Sequence, residues 1–332
     1  MRIGIVGAGF MGTTHAAGWA NTPVEIAGVL SQNPVSSQAM ARQYKAKVHS
    51  NIASLINDVD VVDICTPTYL HHAMVMQAAA AGKHIVCEKP LARTVQQAQE
   101  MITACRDAGV MLLVAHVVRF FPEYVAAKAI VERGEIGKVA VVRLTRASFR
   151  PGPDDSWFHD HEKSGGMMLD LMVHDFDYAR WVAGDVESVF AKNVSSKNGP
   201  DGEDYGLVIL THKNGALSHV EGGWAYPKPM FRTALEIAGD RGLIEHPAGS
   251  SVPLGIHMKS DASGDEADIA VPGSPLAEDP FTTEMKHFFA VLNGDTAELR
   301  VTAYDGLAAV RIALAAIESA KTSRPVKVED MN

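Results

Sequence analysis

Three short groups of residues in this chain have the types and spacing for a redox reaction at a hydroxyl-bearing carbon. Cys87-Glu88-Lys89-Pro90 holds a lysine between an acid and a proline, and Asp170 and His174 lie four residues apart farther along the chain. Near the start, Gly7-Ala8-Gly9-Phe10-Met11-Gly12 has the spacing of a dinucleotide-binding turn. No group is specific alone, but together they indicate hydride transfer to or from such a carbon.

The glycine-rich turn has the sequence context that dinucleotide binding requires, because a short apolar strand precedes it and a helical pattern follows. In such a turn Gly7 permits the tight bend, Gly9 lets the backbone approach a pyrophosphate, and Gly12 allows close packing of helix on strand. The helix N-terminus then offers N–H donors and a positive dipole to the phosphates. The alternative is a glycine turn without a ligand, which the position at the first strand disfavours.

The end of the second predicted strand bears on which dinucleotide is bound. An acid there would bind the ribose 2′-hydroxyl of NAD, but the strand runs into Ser31-Gln32-Asn33 without one. Ser31 does not repel a 2′-phosphate, although the loop has no arginine or lysine to bind it and Arg42 is the nearest base. The sequence therefore permits NAD and NADP, with a slight preference for NADP.

Length and composition indicate a globular protein. The chain has 332 residues, a formal net charge of −9 and 47% hydrophobic residues, which suits two domains of ordinary size. It has no basic patch with interleaved aromatic residues, which argues against nucleic acid, and no apolar run long enough to span a membrane. The three cysteines lack zinc spacing and are too few for a disulfide framework, so we expect reduced thiols in a cytoplasmic protein.

The first part of the chain alternates strand-like and helix-like patterns. This alternation predicts a parallel sheet covered by helices on both faces, a doubly wound α/β fold. The predicted strands are residues 3–6, 24–30, 59–65, 85–87 and 110–115, and the predicted helices are residues 13–20, 36–45, 73–81 and 95–108.

In the remainder of the chain, strands follow one another with few helices between them, which predicts an antiparallel sheet. We therefore predict a dinucleotide-binding domain at residues 1–119 and an α+β domain for substrate binding and oligomerisation at residues 120–332. Residues 247–253 and 260–265 are rich in small and turn-forming types and are predicted to be mobile loops. The predicted strands are residues 139–148, 186–194, 206–212, 216–224 and 233–238, and the predicted helices are residues 122–133, 168–182, 280–292 and 303–321.

The segment His159-Asp160-His161-Glu162 contains residue types that bind metals, but no further cluster at metal-ligand spacing supports a site. We therefore predict no metal. The surrounding residues 150–161, including Arg150 and Trp157, are instead expected to form a loop beside the substrate.

These motifs resemble those of the Gfo/Idh/MocA oxidoreductases, named for glucose–fructose oxidoreductase and inositol dehydrogenase. The resemblance covers nearly the whole chain, and Glu88-Lys89-Pro90 in this context is specific. It implies a Rossmann domain followed by an α+β domain with a large open antiparallel sheet. It also implies an NAD(P)-dependent dehydrogenase or reductase acting on a sugar or polyol. Because a broad open sheet commonly needs a cover, we expect a homodimer or homotetramer.

By resemblance, three side chains surround the reacting carbon. Lys89 would hydrogen-bond the substrate oxygen, His174 would be the general base in oxidation and the acid in reduction, and Asp170 would bind a neighbouring hydroxyl. These types suit the reaction, because hydride loss from an alcohol requires loss of the hydroxyl proton, and an ammonium stabilises the developing alkoxide. Many members have glycine where this chain has Met172, which bears on the shape of the pocket.

The predicted cofactor-binding residues are Gly7, Gly9, Phe10, Met11, Gly12, Ser31, Gln32, Thr66, Pro67, His71, Glu88 and Lys89. The predicted substrate-binding residues are Lys89, Arg150, Trp157, Asp170 and His174.

Two other functions are compatible with the motifs. A hydrolase or lyase that holds NAD tightly could oxidise one carbon transiently and so eliminate a glycosidic substituent, without net formation of NADH. A ligand-binding regulator could keep the fold without the chemistry, although the presence of Lys89, Asp170 and His174 argues against it.

Overall fold

The computed structural model describes residues 1–152, 156–194, 204–226, 230–246, 255–258, 269–270 and 278–331. It divides into two compact units, Met1–Phe120 with Glu278–Ala308, and Phe121–Ala277 with Ala309–Asn332. The first junction lies next to the predicted boundary at residue 119. The predicted second domain also contained Glu278–Ala308, which the structure groups with the first unit.

The strands and helices are numbered in chain order. The strands are Arg2–Val6 (β1), Glu25–Leu30 (β2), Lys47–Val48 (β3), Val61–Ile64 (β4), His84–Glu88 (β5), Leu112–Ala115 (β6), Val139–Ser148 (β7), Val186–Val194 (β8), Tyr205–His212 (β9), Leu217–Gly223 (β10), Phe231–Gly239 (β11), Gly242–His246 (β12), Gly255–Met258 (β13), Ile269–Ala270 (β14) and Val326–Lys327 (β15). The α-helices are Phe10–Trp19 (α1), Pro34–Tyr44 (α2), Ile52–Asp58 (α3), His71–Ala80 (α4), Val95–Asp107 (α5), Pro122–Glu132 (α6), His161–Ser164 (α7), Gly166–Asp170 (α8), Val173–Ala183 (α9), Pro280–Asn293 (α10) and Ala303–Thr322 (α11).

The first unit contains a six-stranded parallel sheet in the order β3-β2-β1-β4-β5-β6, as the alternating pattern predicted. The strand order reverses between β1 and β4, so the loops that leave these two strands diverge and open a crevice at the carboxyl edge. The predictions missed α3 and β3. The first spans seven residues and the second two, which is too short for a periodic pattern.

Contacts within the first unit explain why Glu278–Ala308 belongs to it. The buried Arg119 guanidinium donates from Nη1 to the Arg300 carbonyl at 2.8 Å and forms an ion pair with Asp305. In addition, α1 packs against α10, and a Cβ atom on Gly18 would lie 2.7 Å from Met285 Cγ. Such pairing between distant segments has no periodic signature, so the sequence-based boundary followed chain order instead.

The second unit contains a nine-stranded sheet in the order β14-β13-β12-β11-β7-β10-β9-β8-β15. It confirms the predicted α+β class with a large, mostly antiparallel sheet. The one departure is that β7 and β10 pair in parallel. A long connection that includes α7 to α9 separates these two strands, which allows the chain to return in the same direction.

The two faces of this second sheet differ in exposure. Along β9 the alternate residues Gly206, Val208, Leu210 and His212 are buried, whereas Leu207 is 45% exposed. On the buried side α9 packs against β7 and β10, and the Ser319 hydroxyl of α11 accepts the backbone N–H of Ala191 at 2.9 Å. The sheet is thus covered by helices on one face, as a period of two in buried positions requires.

Two of the predicted loops concern residues that are not described. The predicted loops at residues 247–253 and 260–265 lie outside the described residues. Four short strands, β12 to β15, were not predicted, because two to five residues give too few alternations. Among the described residues, no helix is both long and apolar enough to cross a membrane.

Candidate functional site

The carboxyl edge of the first sheet brings together most residues that were predicted to bind the cofactor. The glycine turn follows β1, Ser31-Gln32 follows β2, Thr66-Pro67 follows β4, and Glu88-Lys89 closes β5. These four strands are neighbours in the sheet, so their loops meet at one edge. This is the edge at which open α/β sheets bind their ligands.

The glycine turn has the geometry that a dinucleotide requires. Gly7 has φ +104°, and a Cβ atom there would lie 2.4 Å from the Cys65 carbonyl oxygen. A Cβ atom on Gly12 would lie 1.7 Å from the Gly7 carbonyl oxygen, whereas one on Gly9 would meet nothing within 4 Å. Gly9 therefore borders open space. The fold itself therefore requires glycine at positions 7 and 12, whereas the open space at Gly9 lets a ligand approach the backbone.

The N-terminus of α1 fits an anionic group at that space. Its N-cap residue Gly9 provides no side-chain hydrogen bond, and its first turn contains no acid. The first N–H groups of the helix are thus available to phosphate oxygens. Phe10 is 81% exposed and Met11 is partly buried, so both side chains flank the turn at the surface of this unit.

The loop after β2 offers neither an acid nor a base to a ribose. Asn33 caps α2 by accepting the Val35 N–H at 2.9 Å, and the Ser31 hydroxyl accepts the Asn33 N–H at 3.3 Å. Gln32 is exposed. Arg42 lies in the last turn of α2, about 12 Å along the axis from its first residue. The base that the sequence suggested for a 2′-phosphate is therefore remote within this helix.

His71 joins two loops from inside the first unit. Its ring is fully buried, with Nε2 2.9 Å from the Thr66 carbonyl and Nδ1 3.0 Å from the Pro90 carbonyl. Burial lowers the pKa of this histidine. Thr66 and Pro67 themselves are partly exposed. His71 thus braces the loops after β4 and β5, and it would influence a cofactor through those loops rather than by direct contact.

Lys89 is held through its backbone by the acid that precedes it. The Lys89 N–H donates to Glu88 Oε2 at 3.1 Å, and the other oxygen, Oε1, lies 3.0 Å from His15 Nε2. Glu88 is buried, Lys89 is partly buried, and the Lys89–Pro90 peptide bond is cis. The motif that the sequence singled out is therefore attached to a histidine that the sequence analysis missed.

His15 and Asp63 form a buried charged pair beneath the glycine turn. Both oxygens of Asp63 lie 3.1 Å from His15 Nδ1, and Trp19 Nε1 donates to Asp63 Oδ2 at 2.8 Å. His15, Trp19 and Asp63 are all fully buried. A signal existed in the sequence, because Asp63 is an acid within the apolar run of a central strand, where it requires a partner.

The charge state of His15 follows from its neighbours. Burial alone would lower the pKa of His15, but the Cys65 and Asp63 side chains raise it well above its usual value. Burial also raises the pKa of the Cys65 thiol. Because Asp63 and Glu88 both accept, an imidazolium that donates from both ring nitrogens satisfies the site.

A further ionisable group, Glu284 of α10, lies close to this pair. It is fully buried, and neither carboxyl oxygen has a hydrogen-bond partner among the described residues. Burial raises the pKa of Glu284 well above its usual value, partly offset by His15 and reinforced by Glu88 and Asp63. The folded protein therefore favours the neutral form of the Glu284 carboxyl group.

In the second unit, Asp170 and His174 do not share one continuous helix as predicted. Asp170 ends α8 and His174 lies in α9, with Leu171 and Met172 between them. The predicted helix 168–182 is broken here, because the Met172 N–H bonds to the Met167 carbonyl, five residues back, instead of four. Asp170 is buried and His174 is partly buried.

Met172 occupies a hollow in the second sheet. Gly206 and Gly222 are cross-strand partners on β9 and β10. A Cβ atom on Gly222 would lie 2.4 Å from Met172 Cγ, and one on Gly206 would lie 3.2 Å from Met172 Sδ. The paired glycines make room for the methionine, so the departure from the family's glycine is accommodated by the sheet.

A buried ion pair anchors α9 next to His174. Arg146 of β7 donates from Nε to Asp175 Oδ2 at 2.7 Å and from Nη2 to Oδ1 at 3.1 Å. Although burial raises the pKa of Asp175, the Arg146 guanidinium opposes that shift. Asp177 is buried as well, and the Arg146–Asp175 pair joins this helix to the sheet. The signal for this pair in the sequence was Arg146, an arginine at an inward-facing position of a strand.

The segment expected beside the substrate is described only in part, since residues 153–155 lie outside the described residues. Arg150 and Trp157 are partly buried, and Trp157 stacks on Phe158 with ring centroids 4.1 Å apart. His159 Nε2 lies 2.8 Å from the Pro151 carbonyl. Among the described residues, one set of histidine, cysteine and acidic side chains is close enough to share a metal ion, and it is His15, Asp63 and Cys65.

Comparison with known proteins gives matches over both units. A family model described as an oxidoreductase family with an NAD-binding Rossmann fold matches residues 1–116, and one described as the GFO/IDH/MocA C-terminal domain matches residues 124–245. The myo-inositol 2-dehydrogenase of Thermotoga maritima is 31% identical over 100% of this chain and 99% of its own length. An inositol 2-dehydrogenase of Rhizobium meliloti is 28% identical over 99% of both chains.

Solved structures of dehydrogenases also match nearly the whole chain. A levoglucosan dehydrogenase in complex with NADH and L-sorbose superposes with a TM-score of 0.89 at 26% identity, covering 99% of this chain and 98% of that one. Another structure of a levoglucosan dehydrogenase holds NADH alone, with a TM-score of 0.88. Because these relatives hold NADH, they lend no support to the slight preference for NADP that Ser31 suggested.

The different surroundings of Gly9 and Gly12 predict opposite results for two alanine variants. Gly9→Ala should fold as the wild type does, because its Cβ enters open space, and should weaken NADH binding at least about tenfold. Gly12→Ala should destabilise the fold by about 2–4 kcal/mol, because its Cβ overlaps a backbone oxygen. Thermal unfolding and NADH titration by fluorescence measure both effects. Wild-type affinity in Gly9→Ala would show that the phosphates do not approach this residue.

The raised pKa of Glu284 predicts a pH-dependent effect of Glu284→Gln. In the unfolded chain Glu284 loses its proton near its usual pKa, whereas the folded protein keeps it to higher pH, so this group lowers stability as pH rises between the two values. The variant lacks this penalty. Its stability relative to the wild type should therefore increase with pH, by up to about 1.4 kcal/mol per pH unit.

Thermal unfolding of both proteins at several pH values from about pH 5 to pH 8 measures this difference. Glu318→Gln, the same substitution at an exposed position, serves as the control and should show a constant difference from the wild type. A constant difference for Glu284→Gln as well would mean that Glu284 is not held in its neutral form.

Proposed function

Since this chain belongs to the GFO/IDH/MocA family of NAD-binding oxidoreductases, we propose that it transfers a hydride between NAD and a secondary hydroxyl or carbonyl carbon of a sugar or polyol. The observation that carries the proposal is the carboxyl edge of the first sheet. There the open space at Gly9, after β1, and the motif lysine Lys89, after β5, lie at the same edge of one parallel sheet. The family was predicted from the same motifs.

The proposed roles of the side chains follow from their chemistry. When bound, the nicotinamide ring supplies the hydride acceptor or donor. Lys89 donates to the reacting oxygen and stabilises the negative charge that develops on it. His174 accepts the hydroxyl proton during oxidation and returns it during reduction, and Asp170 binds a neighbouring hydroxyl. Arg150 and Trp157 contribute to substrate binding.

We propose NAD rather than NADP as the physiological cofactor. The loop after β2 has no basic side chain, and Arg42 is remote within α2, so a 2′-phosphate would find no positive partner among these groups. Because the loop has no acid, the 2′-hydroxyl of NAD lacks its usual partner there. This absence does not provide a partner for the 2′-phosphate of NADP. The relatives with NADH support the same choice.

We propose polyhydroxylated ring compounds as the substrate class. Relatives of this chain act, by their names, on inositol, levoglucosan and 1,5-anhydro-D-fructose. These compounds share a secondary hydroxyl or ketone with at least one hydroxyl on a neighbouring carbon, which suits one proton acceptor and one acid that binds that neighbour. Oxidation of the first two and reduction of the third are the reactions to screen.

A two-stage experiment tests this function. Titration with NAD, NADH, NADP and NADPH by intrinsic fluorescence should show tighter binding of the two cofactors without a 2′-phosphate. NADH formation with myo-inositol and levoglucosan, and NADH consumption with 1,5-anhydro-D-fructose, should then identify a substrate. Lys89→Met should lower kcat at least about 100-fold. Lys47→Met, which removes an exposed lysine of the same unit, is the matched control and should not.

Three results would contradict parts of this proposal. Binding of no dinucleotide would exclude the redox function. Cofactor retained through purification, with substrate cleavage but no net NADH, would replace dehydrogenation by elimination. Unchanged turnover in Lys89→Met would remove that lysine from the site.

We also propose that the chain assembles as a homodimer or homotetramer through the outer face of the second sheet. Leu207 is 45% and Leu217 37% exposed there, on neighbouring strands. An apolar sheet face of this kind is usually covered in a stable protein. Light scattering after size exclusion should give a dimer or tetramer for the wild type, and Leu207→Lys with Leu217→Lys should reduce that mass. A monomeric wild type would contradict the proposal.

A further inference from the structure

A chain of hydrogen bonds inside the first unit links a central strand to the backbone of Lys89. It starts at Trp19, which donates to Asp63 at 2.8 Å, and continues from Asp63 to His15 at 3.1 Å. It then passes from His15 to Glu88 at 3.0 Å and ends at the Lys89 N–H, 3.1 Å from the second Glu88 oxygen. The proposed reaction does not use these inner residues.

His15 cannot contact a substrate, because its ring has no exposed surface. Its two ring nitrogens instead face two carboxyl groups, one on β4 and one at the end of β5. Carboxylates accept hydrogen bonds and do not donate them, so the ring donates from both sides and fixes the orientation of each. Asp63 is fixed in turn by the Trp19 indole N–H.

The Glu88 carboxylate is the point at which this chain reaches the site. One oxygen is occupied by His15 and the other by the Lys89 N–H. Glu88 is only 6% exposed, so it cannot exchange these partners for water without cost. If His15 were removed, a buried carboxylate would lose its charged partner and would reorient or take up a proton. Either change would release the backbone at Lys89.

We propose that His15 is a positioning residue for Lys89, acting through the carboxylate of Glu88. The inference rests on the proposed function only for what the Lys89 ammonium does, and the geometry of the chain stands apart from it. The groups that face His15 are Asp63 and Cys65 from the β4 side, Glu88 from β5 and Glu284 from α10. Of these, Glu88 alone is adjacent to Lys89 in sequence and bonded to its backbone.

The test follows Lys89 itself and needs no substrate. The lysines of the full-length protein are dimethylated with carbon-13 formaldehyde, and the Lys89 signal is identified by its absence from Lys89→Arg. In His15→Gln and in Glu88→Ala this signal should shift and broaden. In the double variant it should shift no further than in either single variant, because both substitutions break one chain. A merely destabilising substitution would not give this pattern.

His49→Gln is the matched control. His49 is a second buried histidine of the first unit, 3.2 Å from the Ser54 hydroxyl, and has no link to Glu88 in the described contacts. Its substitution should leave the Lys89 signal in place. If His15→Gln does not fold, as judged by circular dichroism, Asp63→Asn replaces it. That variant keeps an acceptor for Trp19 but removes the charge on the far side of His15, and it should move the Lys89 signal too.

A kinetic measurement follows for any sugar or polyol that the wild type oxidises. His15→Gln should lower kcat at least about tenfold while the KM for NAD changes less than about twofold, because the Trp19–Asp63 bond still holds α1 and the glycine turn while the reacting oxygen is displaced. If the wild type oxidises none, the proposed function fails while the Lys89 signal still decides the positioning role.

Two results would overturn the inference. An unchanged Lys89 signal in folded His15→Gln and Glu88→Ala would show that the chain does not position this lysine. Stoichiometric zinc in the purified protein, lost in His15→Gln, would mean that His15, Asp63 and Cys65 bind an ion and that the hydrogen-bonded chain does not form.

Discussion

A buried charge must have a partner, and the first unit is arranged around that requirement at Asp63. An ionised carboxylate inside a parallel sheet is unstable unless donors replace its water. Trp19 and His15 of α1 provide these donors, which fixes α1 against β4 and so fixes the turn that precedes α1. The same histidine contacts Glu88 at the end of β5. The buried His15–Asp63 pair therefore fixes the positions of two loops at the carboxyl edge of the sheet, the glycine turn and the loop after β5.

The second unit also contains a buried acid that is paired with a basic side chain. Asp175 lies in α9 directly after His174, and its bidentate bond to Arg146 fixes the helix to β7. A guanidinium and a carboxylate bonded in this way define both distance and orientation. In each unit, then, a residue with a proposed chemical role lies next to an acid that is buried and paired. The reactive side chain is left partly exposed while its neighbour carries the structural bond.

The sequence was sufficient for the parts of the fold that depend on local pattern. The alternation of strands and helices, the glycine turn and the Glu88-Lys89-Pro90 motif predicted the fold class, and these motifs together with the Asp170–His174 segment predicted the family, both of which are confirmed. What it missed depends on distant pairs. The assignment of Glu278–Ala308 to the first unit and the partners of Asp63 and Asp175 arise from contacts between segments far apart in the chain. A single sequence marks one member of such a pair but not the other.

The residues that support the site differ from those that are expected to contact the substrate. This difference suggests how members of such a family come to act on different substrates. The features that hold the glycine turn and Lys89 are backbone geometry and buried hydrogen bonds, which no substrate touches. Residues around Asp170 and His174 are held by packing into the second sheet, where Met172 fills a hollow made by Gly206 and Gly222. Such packing tolerates exchange when volume is conserved across both partners. The close superposition with a levoglucosan dehydrogenase at 26% identity fits this division, since the backbone fold persists while most side chains differ.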